Sequence, residues 1–173
     1  MTKLELEQCI KEYGRDIYSF CKHLTCNGQE ADDLYQDVFL KLVEQQEKVD
    51  WQGNPKSYLL SVAVRLWKNR RRKAAWRNRI AAIIPFIEER DAEEMCEIEV
   101  SPEEKWLINE EKQVVQSAVD KLPEKLKVCV LLFYMEELSV AQIAKVLRLP
   151  EGTVKSRLFQ ARKLLEKELE NVL

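Results

Sequence analysis

The side chains best suited to chemistry lie close together near the N-terminus, where Cys21, His23 and Cys26 offer two sulfurs and an imidazole. A structural zinc site takes four such ligands, and no clear second pair follows in the chain. Because Cys21 also falls beside Phe20 on an apolar side, we predict core packing and no metal. His23 is the only histidine. It has no recognisable catalytic partner, and no glycine-rich phosphate loop is present, so the sequence favours neither an enzyme nor a cofactor.

Residues 138–165 indicate a different chemistry, the recognition of nucleic acid. Ser139 and Gln142 have the spacing of a capping box, which satisfies free N–H groups at a helix start. After a short turn, Pro150 begins a second helix with an apolar inner row and a basic, polar outer face. Two such helices form a helix-turn-helix, whose second helix fits the major groove of DNA. Periodicity alone leaves an ordinary helical hairpin with a solvated basic face as the alternative.

The composition restricts the fold that positions these residues. The chain has 173 residues, of which 46% are apolar, so it can bury a core of one medium or two small domains. Four glycines and five prolines leave little turn material for a β fold, and we predict an all-α protein. An odd number of cysteines, five, argues against a disulfide framework. No apolar run is long enough for a membrane span, and the N-terminus lacks the apolar core of a signal peptide, so we expect a cytoplasmic protein.

Charge is distributed in blocks although the whole chain carries only −2. Residues 51–87 hold nine basic and no acidic side chains, and residues 138–163 carry a net +5. Residues 88–111 lie between these blocks and carry a net −9. Such separation is typical of surfaces that meet different partners. The near-neutral total is therefore a cancellation, and we expect the isolated protein to bind DNA weakly.

Apolar spacing organises the chain into two helical lobes. In the first lobe, Asn27-Gly28 ends one helix, a second runs from about Glu30 to Gln45, and a third starts near Lys56. The acidic block has little periodicity and reads as a flexible linker. In the second lobe, one helical face ends at Pro123 and consists of Val115, Ala118, Val119 and Leu122. We predict domains at 1–79 and 106–173, joined by a linker at 80–105.

Three motifs resemble those of extracytoplasmic-function (ECF) sigma factors, and they occur in the family's order over nearly the whole chain. Residues 30–42, EADDLYQDVFLKL, resemble the polymerase-binding helix of that family. Residues 57–63 followed by Arg70-Arg-Arg-Lys73 resemble the helix that reads the −10 promoter element. Residues 151–165, EGTVKSRLFQARKLL, resemble the helix that reads the −35 element. The resemblance implies a protein that binds core RNA polymerase and directs transcription initiation.

The resemblance assigns the polymerase contact to the outer face of the second helix. The exposed residues expected to meet the β′ clamp helices are Asp32, Asp33, Gln36 and Asp37. Phe39 either supports this surface or belongs to the core. The resemblance also implies contact with the β subunit and passage of the acidic linker through polymerase channels, while a solvated tether explains its composition equally well.

For the −10 element, the resemblance points to the loop before the third helix and to the outer side of that helix. Trp51 is either part of a pocket for a flipped base or a core anchor. Arg65 falls where many family members carry Asn. Of Trp67 and Trp76, one is expected to pack and the other to be available for stacking on a base. The candidate residues are Trp51, Asn54, Ser61, Arg65, Lys68, Asn69, Arg70, Arg71, Arg72 and Lys73.

For the −35 element, the base-edge candidates are Lys155, Ser156 and Phe159, and the phosphate contacts are assigned to Arg157 and Arg162. Thr153 either donates to a phosphate or caps the helix. Arg148 stands where the family often has Gly in the turn, and Pro150 where it often has Ser.

Two further interpretations complete the sequence picture. The apolar run Ile80–Ile87 next to a basic helix either packs against a lobe or is covered by a partner, and membrane insertion is not expected. The family's usual regulator, an anti-sigma factor, is the expected partner. The competing function is a helix-turn-helix regulator that binds an operator without polymerase, but no dimerisation or ligand-sensing segment is recognisable.

Overall fold

A computed structural model describes residues 3–49, 53–83 and 110–171, and its regular structure there is helical throughout. The first lobe consists of α1 (Lys3–Thr25), α2 (Gly28–Glu44), a 3₁₀ turn (Gln46–Lys48) and α3 (Pro55–Ile83). The second lobe consists of α4 (Glu110–Asp120), α5 (Glu124–Val130) with a following π-helical turn (Leu131–Met135), α6 (Val140–Leu147) and α7 (Glu151–Glu170). The predicted all-α class is confirmed.

The first lobe is a three-helix cluster in which every helix contacts the other two. Its core is filled by fully buried apolar side chains from all three helices, including Ile17, Phe20, Leu34, Leu42 and Leu59. Between α1 and α2, the Asn27 Oδ1 accepts a hydrogen bond from the Glu30 N–H at 3.1 Å. This cap satisfies an otherwise unpaired donor and explains why α2 begins where the sequence predicted.

The second lobe is organised around the helix-turn-helix. The Ser139 Oγ accepts from the Gln142 N–H at 3.2 Å, and the Gln142 Oε1 accepts from the Ser139 N–H at 2.8 Å. This is the predicted capping box, and it starts α6 at Val140. Arg148 closes α6 in the left-handed conformation, at φ 53° and ψ 49°. The core beneath α6 and α7 contains Leu132, Ile143, Val154, Leu158 and Ala161.

The inner face predicted for α4 is correct for three of its four residues. Ala118, Val119 and Leu122 are buried, whereas Val115 is 47% exposed. Periodicity places Val115 on the same side of the helix as Ala118 and Val119, and α4 packs against α5 and α7. The prediction was wrong for Val115 because the helical repeat gives the side of a helix on which a residue lies, not how far neighbouring helices cover that side.

The two lobes pack against each other, mainly through α3 against α6 and α1 against the π-helical turn. Lys56 at the start of α3 lies 2.8 Å from the Glu136 carboxylate and 2.7 Å from Asp16. Arg71 forms a second ion pair between the lobes with Glu124. Because Lys56, Arg71 and their partners come from distant parts of the sequence, this packing could not be predicted from local patterns.

Candidate nucleic-acid interface

Only some of the carboxylates on the outer face of α2 are free to contact another molecule. Asp32, Asp33 and Gln36 are exposed as predicted. The Tyr18 hydroxyl donates to Asp32 at 2.7 Å, and Asp37 is half-buried beside the guanidinium of Arg70. Within the described part of the chain, Asp33 makes no ion pair or side-chain hydrogen bond. Asp33 and Gln36 are therefore the polar groups of this face best placed to meet another molecule.

The same face of α2 carries apolar residues that sequence reasoning missed. Leu40 is 57% exposed and Val43 is 42% exposed, and Leu40 lies two turns from Asp33 on the same side of the helix. Phe39 is 7% exposed and its ring centroid lies 4.9 Å from that of Tyr35, so it belongs to the core. The available signal was that Leu40 is apolar yet lies off the buried row of Leu34, Val38 and Leu42. The α2 surface, defined here as Asp33, Gln36, Leu40 and Val43, is thus acidic at one end and apolar at the other.

The loop before α3 lies only partly within the described residues. Trp51 lies outside them, so its two interpretations stay predictions. The Asn54 Oδ1 accepts from the Ser57 N–H at 3.0 Å, which makes Asn54 a cap of α3. This hydrogen bond occupies the side-chain oxygen of Asn54. The residue is nevertheless exposed, so another molecule can reach it.

One side of α3 carries five of the ten residues predicted to read the −10 element. Ser61, Arg65, Lys68, Asn69 and Arg72 line a cleft of about 330 Å³ whose opposite wall consists of Val146, Leu147 and Arg148 on α6. We call the five α3 residues the α3 stripe. Burial lowers the pKa of Lys68, and the nearby Arg157 of α7 lowers it further. The cleft thus concentrates positive charge from both lobes, which suits a polyanion.

The side chains of the basic run from Arg70 to Lys73 point to different parts of the molecule. The guanidinium of Arg70 faces α2, where it pairs with Asp37 and lies 3.5 Å from the Glu30 carbonyl oxygen. Arg71 points to the second lobe and pairs with Glu124. Arg72 belongs to the stripe and donates to the Asn69 Oδ1 at 3.2 Å, while Lys73 is exposed. In this arrangement Arg70 serves to join α2 to α3, in addition to any role in binding.

The structure distinguishes the two tryptophans of α3. Trp67 is 5% exposed and belongs to the core of the first lobe. Trp76 is 64% exposed. Trp76 is therefore the one that is available for stacking.

The outer face of α7 is open, as the sequence predicted. Lys155, Ser156, Phe159 and Arg162 are exposed, and Phe159 is 57% exposed. The Ser156 hydroxyl donates to the Gly152 carbonyl oxygen at 3.0 Å. Thr153 and Arg157 are half-buried, and Arg157 approaches Cys129 and Lys68 at the lobe boundary.

A tyrosine supports this face and was missed by sequence reasoning. The Arg162 Nε donates to the Tyr134 hydroxyl at 2.7 Å, and its guanidinium lies over the rings of Phe133 and Tyr134. Tyr134 is 54% exposed beside α7. These contacts hold the Arg162 guanidinium in place, and a guanidinium that is already fixed loses less entropy when it forms further hydrogen bonds. Tyr134 comes from the π-helical turn, so its position could not be inferred from the α7 pattern.

Several polar side chains, buried or partly buried, lie together where the end of α1 meets the second lobe. The Lys127 Nζ is 3.1 Å from Asp120 and 2.8 Å from the Cys26 Sγ. His23 lies nearby, and burial lowers its pKa below the ordinary value of 6.5. Its buried Nδ1 has no hydrogen-bond partner among the residues that the structure describes. Among the described residues no cluster of ligands suits a metal ion.

The remaining cysteines within the described ranges are structural. Cys21 is fully buried, and burial raises the pKa of its thiol to about 12. Cys129 is also fully buried, and burial raises its pKa. A thiol held protonated in this way is a poor nucleophile and a poor ligand. Within the described helices, no segment is long and apolar enough to cross a membrane.

The two lobes match two regions of one family. Residues 9–77 match Sigma-70 region 2, and residues 112–165 match Sigma-70 region 4. The matches together span more than half of the chain, in the order that the sequence motifs have, and the chain belongs to the sigma-70 family. Its curated relatives place it among the ECF sigma factors of that family, which are transcription initiation factors. The matched ranges fall inside the predicted domains, whose exact boundaries stay a prediction.

The relatives extend over nearly the whole chain. The ECF RNA polymerase sigma factor SigW of Bacillus subtilis is 28% identical over 161 residues, which is 92% of this chain and 86% of SigW. The ECF RNA polymerase sigma-E factor of Escherichia coli is 27% identical over 166 residues, or 95% and 86% of the two chains. The sigma factor RpoE of Bartonella quintana, solved in complex with the anti-sigma factor NepR, superposes with a TM-score of 0.77 at 20% identity, covering 96% of this chain and 97% of RpoE. CnrH, solved with the cytosolic domain of CnrY, gives 0.68 at 15% identity, covering 98% and 90%.

Proposed function

We propose that this sigma factor binds core RNA polymerase through the α2 surface and reads promoter DNA through the α3 stripe and the outer face of α7. The α7 face supports this most directly. Lys155, Phe159 and Arg162 are exposed on one side, while Val154 and Leu158 fix the helix in the lobe from the other. A helix anchored in this way presents cations and an apolar ring to base edges and phosphates.

On α7 the proposed roles follow from side-chain chemistry. Lys155 can donate to acceptors on base edges, and Phe159 can contact a thymine methyl group. Arg162, held by Tyr134, and the half-buried Arg157 are proposed to bind phosphates. Thr153 and Ser156 lie at the start of the helix, where the bond from Ser156 to Gly152 supports the first turns.

At the α2 surface, the proposed contact has a charged and an apolar component. Asp33 and Gln36 suit a basic coiled-coil partner such as the β′ clamp helices, and Leu40 and Val43 add apolar area that water would otherwise cover. Asp32 and Asp37 are held by Tyr18 and Arg70, and we propose that they shape this surface from its edges. A contact of the second lobe with the β subunit completes the proposal.

The same surfaces also bear on how the protein is regulated and on whether it catalyses a reaction. We infer control by an anti-sigma factor, since such a partner is bound in the related RpoE structure and would cover the faces described here. We also infer that the protein has no catalysis of its own, and that it works in the cytoplasm, where its polymerase is.

The function is tested by adding the protein to core polymerase with a library of promoter fragments and sequencing run-off transcripts. We expect specific transcripts that depend on both the protein and the polymerase. Tight binding to DNA with no polymerase-dependent transcript would instead support the operator-binding regulator.

Variants separate the two interfaces. Asp33→Lys combined with Leu40→Ser should abolish polymerase binding and leave the DNA affinity of the second lobe's face unchanged. Glu111→Lys reverses one exposed charge on α4 and serves as the control for charge alone. Lys155→Ala should lower transcription without lowering polymerase binding. Equal loss of polymerase binding in Glu111→Lys and in the α2 variant would contradict the assignment to α2.

A further inference from the structure

The cleft between α3 and α6 has cations in both of its walls. They are Arg65, Lys68, Arg72 and Arg148. Within the described ranges none of the four forms an ion pair, and no acidic side chain lines the cleft. Arg70 and Arg71, which belong to the same helix, each pair with a carboxylate of the protein. The positive charge of the cleft is therefore not balanced by the described part of the chain.

A fifth cation, Arg157 of α7, lies close to the cleft. It lowers the pKa of Lys68 in addition to the larger lowering by burial, while Cys129 and Glu124 oppose these effects. Docking of the lobes thus places cations of α3 beside cations of the second lobe, which is unfavourable where water screens them only in part. An anion bound between the two walls would remove this repulsion.

The dimensions of the cleft indicate the size of that anion. Its volume of about 330 Å³ lies at the lower end of the range for small-molecule sites, which is roughly 300–1,000 Å³. Three of its cations are arginines, whose planar groups bind phosphate through two parallel hydrogen bonds. A short chain of linked phosphates carries several charges in a small volume and can reach cations on both walls.

Promoter DNA is not the ligand of the closed cleft. One wall belongs to the helix that is proposed to read the −10 element, and the other belongs to the lobe that is proposed to read the −35 element. These elements are about 25 base pairs apart, or roughly 85 Å of duplex, so one promoter cannot engage both lobes while they stay in contact. A ligand of the closed cleft therefore binds the free, docked protein.

We propose that the cleft between the lobes binds a small polyphosphate anion when the lobes are docked. Arg65 and Lys68 bind phosphate groups from α3, and Arg148 binds them from the end of α6. Because the ligand contacts both lobes, it binds the docked form and stabilises it. The ligand and core polymerase then weaken each other's binding by the same factor. This opposition to polymerase rests on the proposed function, whereas binding in the cleft does not.

The test titrates the full chain with inorganic triphosphate and, in a second series, with adenosine triphosphate, by calorimetry without magnesium or polymerase. We expect one ligand per chain. Arg65→Ala and Arg148→Ala, on opposite walls, should each weaken binding about tenfold. Tighter binding of adenosine triphosphate would identify a nucleotide as the source of the phosphates, and equal binding would identify an inorganic polyphosphate. Both results support the site.

Matched controls remove a cation outside the cleft from each of the same helices. Arg79 on α3 and Lys145 on α6 are exposed and are not among the residues that line the cleft. Arg79→Ala and Lys145→Ala should bind triphosphate as the wild type does. Equal losses in these variants and in the cleft variants would show a general attraction to positive charge, and would overturn the proposal.

A further variant keeps every cleft residue and changes only the docking of the lobes. Glu136→Lys places a second cation beside Lys56 at the lobe contact and should separate the lobes. General attraction predicts tighter triphosphate binding by this more positive chain, whereas the cleft predicts binding weakened at least tenfold. Glu137→Lys makes the same change of charge at an exposed position and should not weaken binding.

Small-angle scattering of both variants decides how these titrations are read. Undiminished triphosphate binding by separated lobes would overturn the proposal. If the lobes of Glu136→Lys stay together, the cleft is intact, and a loss of binding would overturn the proposal instead.

Core polymerase separates this inference from the proposed function. Saturating triphosphate should weaken polymerase binding by the wild type and have a smaller effect on Arg148→Ala. Equal effects on the two proteins would contradict the opposition between ligand and polymerase. Failure of the wild type to bind polymerase without triphosphate would count against the proposed function alone, because the titrations of the free chain test the cleft independently.

Discussion

Lys56 and Glu136 connect the two lobes, with the Nζ of one 2.8 Å from the carboxylate of the other. The Glu136 side chain is 2% exposed and that of Lys56 is 24% exposed. Burial raises the pKa of Glu136 even though Lys56 opposes the shift. The pKa of Lys56 is also raised, because its bonds to Asp16 and Glu136 outweigh its burial. The pKa of Lys56 is raised by two acidic partners, one of which, Asp16, is exposed. The pKa of Glu136 is raised because its carboxylate has little access to water.

Reversing the charge at this contact should separate the lobes. Glu136→Lys would place two cations together in a site closed to water, at a cost of about 3 kcal/mol to lobe docking. We expect a larger radius of gyration by small-angle scattering. Glu137→Lys makes the same change one residue along, where the side chain is exposed, and should leave the radius unchanged. An unchanged radius in both variants would show that the apolar contacts suffice.

Separation of the lobes also bears on promoter reading. Elements centred near −10 and −35 are about 25 base pairs apart, which is roughly 85 Å of duplex. Lys68 of the α3 stripe and Arg157 of α7 are instead close enough that Arg157 lowers the pKa of Lys68, in addition to the larger lowering by burial. We therefore expect the distance between labels on α2 and α7 to increase when polymerase is added. A constant distance would contradict a docked free state.

Acid should weaken the structure around His23. Burial keeps the pKa of His23 below 6.5, Lys127 and Lys22 lower it further, and Asp120 opposes them. Since the unfolded chain then binds the proton more readily, the contribution of neutral His23 is present above pH 6.5 and is lost as the pH falls through that value. The free energy of unfolding should fall between pH 7.5 and 5.5 by more in the wild type than in His23→Gln. Parallel curves would rule out this role.

Arg148 should be replaceable by glycine with a gain in stability. Its φ of 53° lies in the left-handed region, which costs an L-residue roughly 1–2 kcal/mol. Glycine removes this cost but adds about 0.5–1 kcal/mol of backbone entropy to the unfolded chain, so the net gain should be at most about 1.5 kcal/mol. Arg148→Gly should raise the melting temperature by a few degrees. Arg148→Ala removes the same charge from the cleft and keeps the strain, so it should not.

Gly14 should not tolerate alanine. A Cβ there would lie 2.9 Å from the Tyr35 hydroxyl, and the Tyr35 ring is fixed between Tyr18 and Phe39. Overpacking of about 1–3 kcal/mol should exceed the helix-propensity gain of about 1 kcal/mol. Chemical denaturation should therefore show Gly14→Ala to be destabilised, and Tyr35→Phe should relieve the loss. Gly28→Ala is the control, since no atom of the described part of the chain lies within 4 Å of a Cβ there.

Local chemistry predicted much of this molecule. The capping box of Ser139 and Gln142 and the break at Asn27-Gly28 operate within a few residues, so the sequence contains all that determines them. The exposed and buried sides of α7 follow from the helical repeat in the same way.

Contacts between distant residues could not be predicted in this way. The pairing of Arg71 with Glu124 and of Arg70 with Asp37 depends on how helices pack, whereas the sequence motifs assigned both arginines to DNA, Asp37 to polymerase and no role to Glu124. The DNA contact of Asn54 stays a prediction, and its side-chain oxygen also caps α3. The exposure of Leu40, by contrast, follows from its position off the buried row of Leu34, Val38 and Leu42.

Through the ion pair between Arg71 and Glu124, the second lobe competes with other anions for the Arg71 side chain. This competitor belongs to the same chain as the arginine. A guanidinium cannot bind a carboxylate and a DNA phosphate with the same donors, so the pairing with Glu124 occupies the donors of Arg71 that the proposed DNA contact would use. Competition within one chain depends on effective concentration, which the length of the connecting segment sets and dilution does not change. The apparent affinity for DNA is then the intrinsic affinity multiplied by the fraction of molecules in which the lobes are apart.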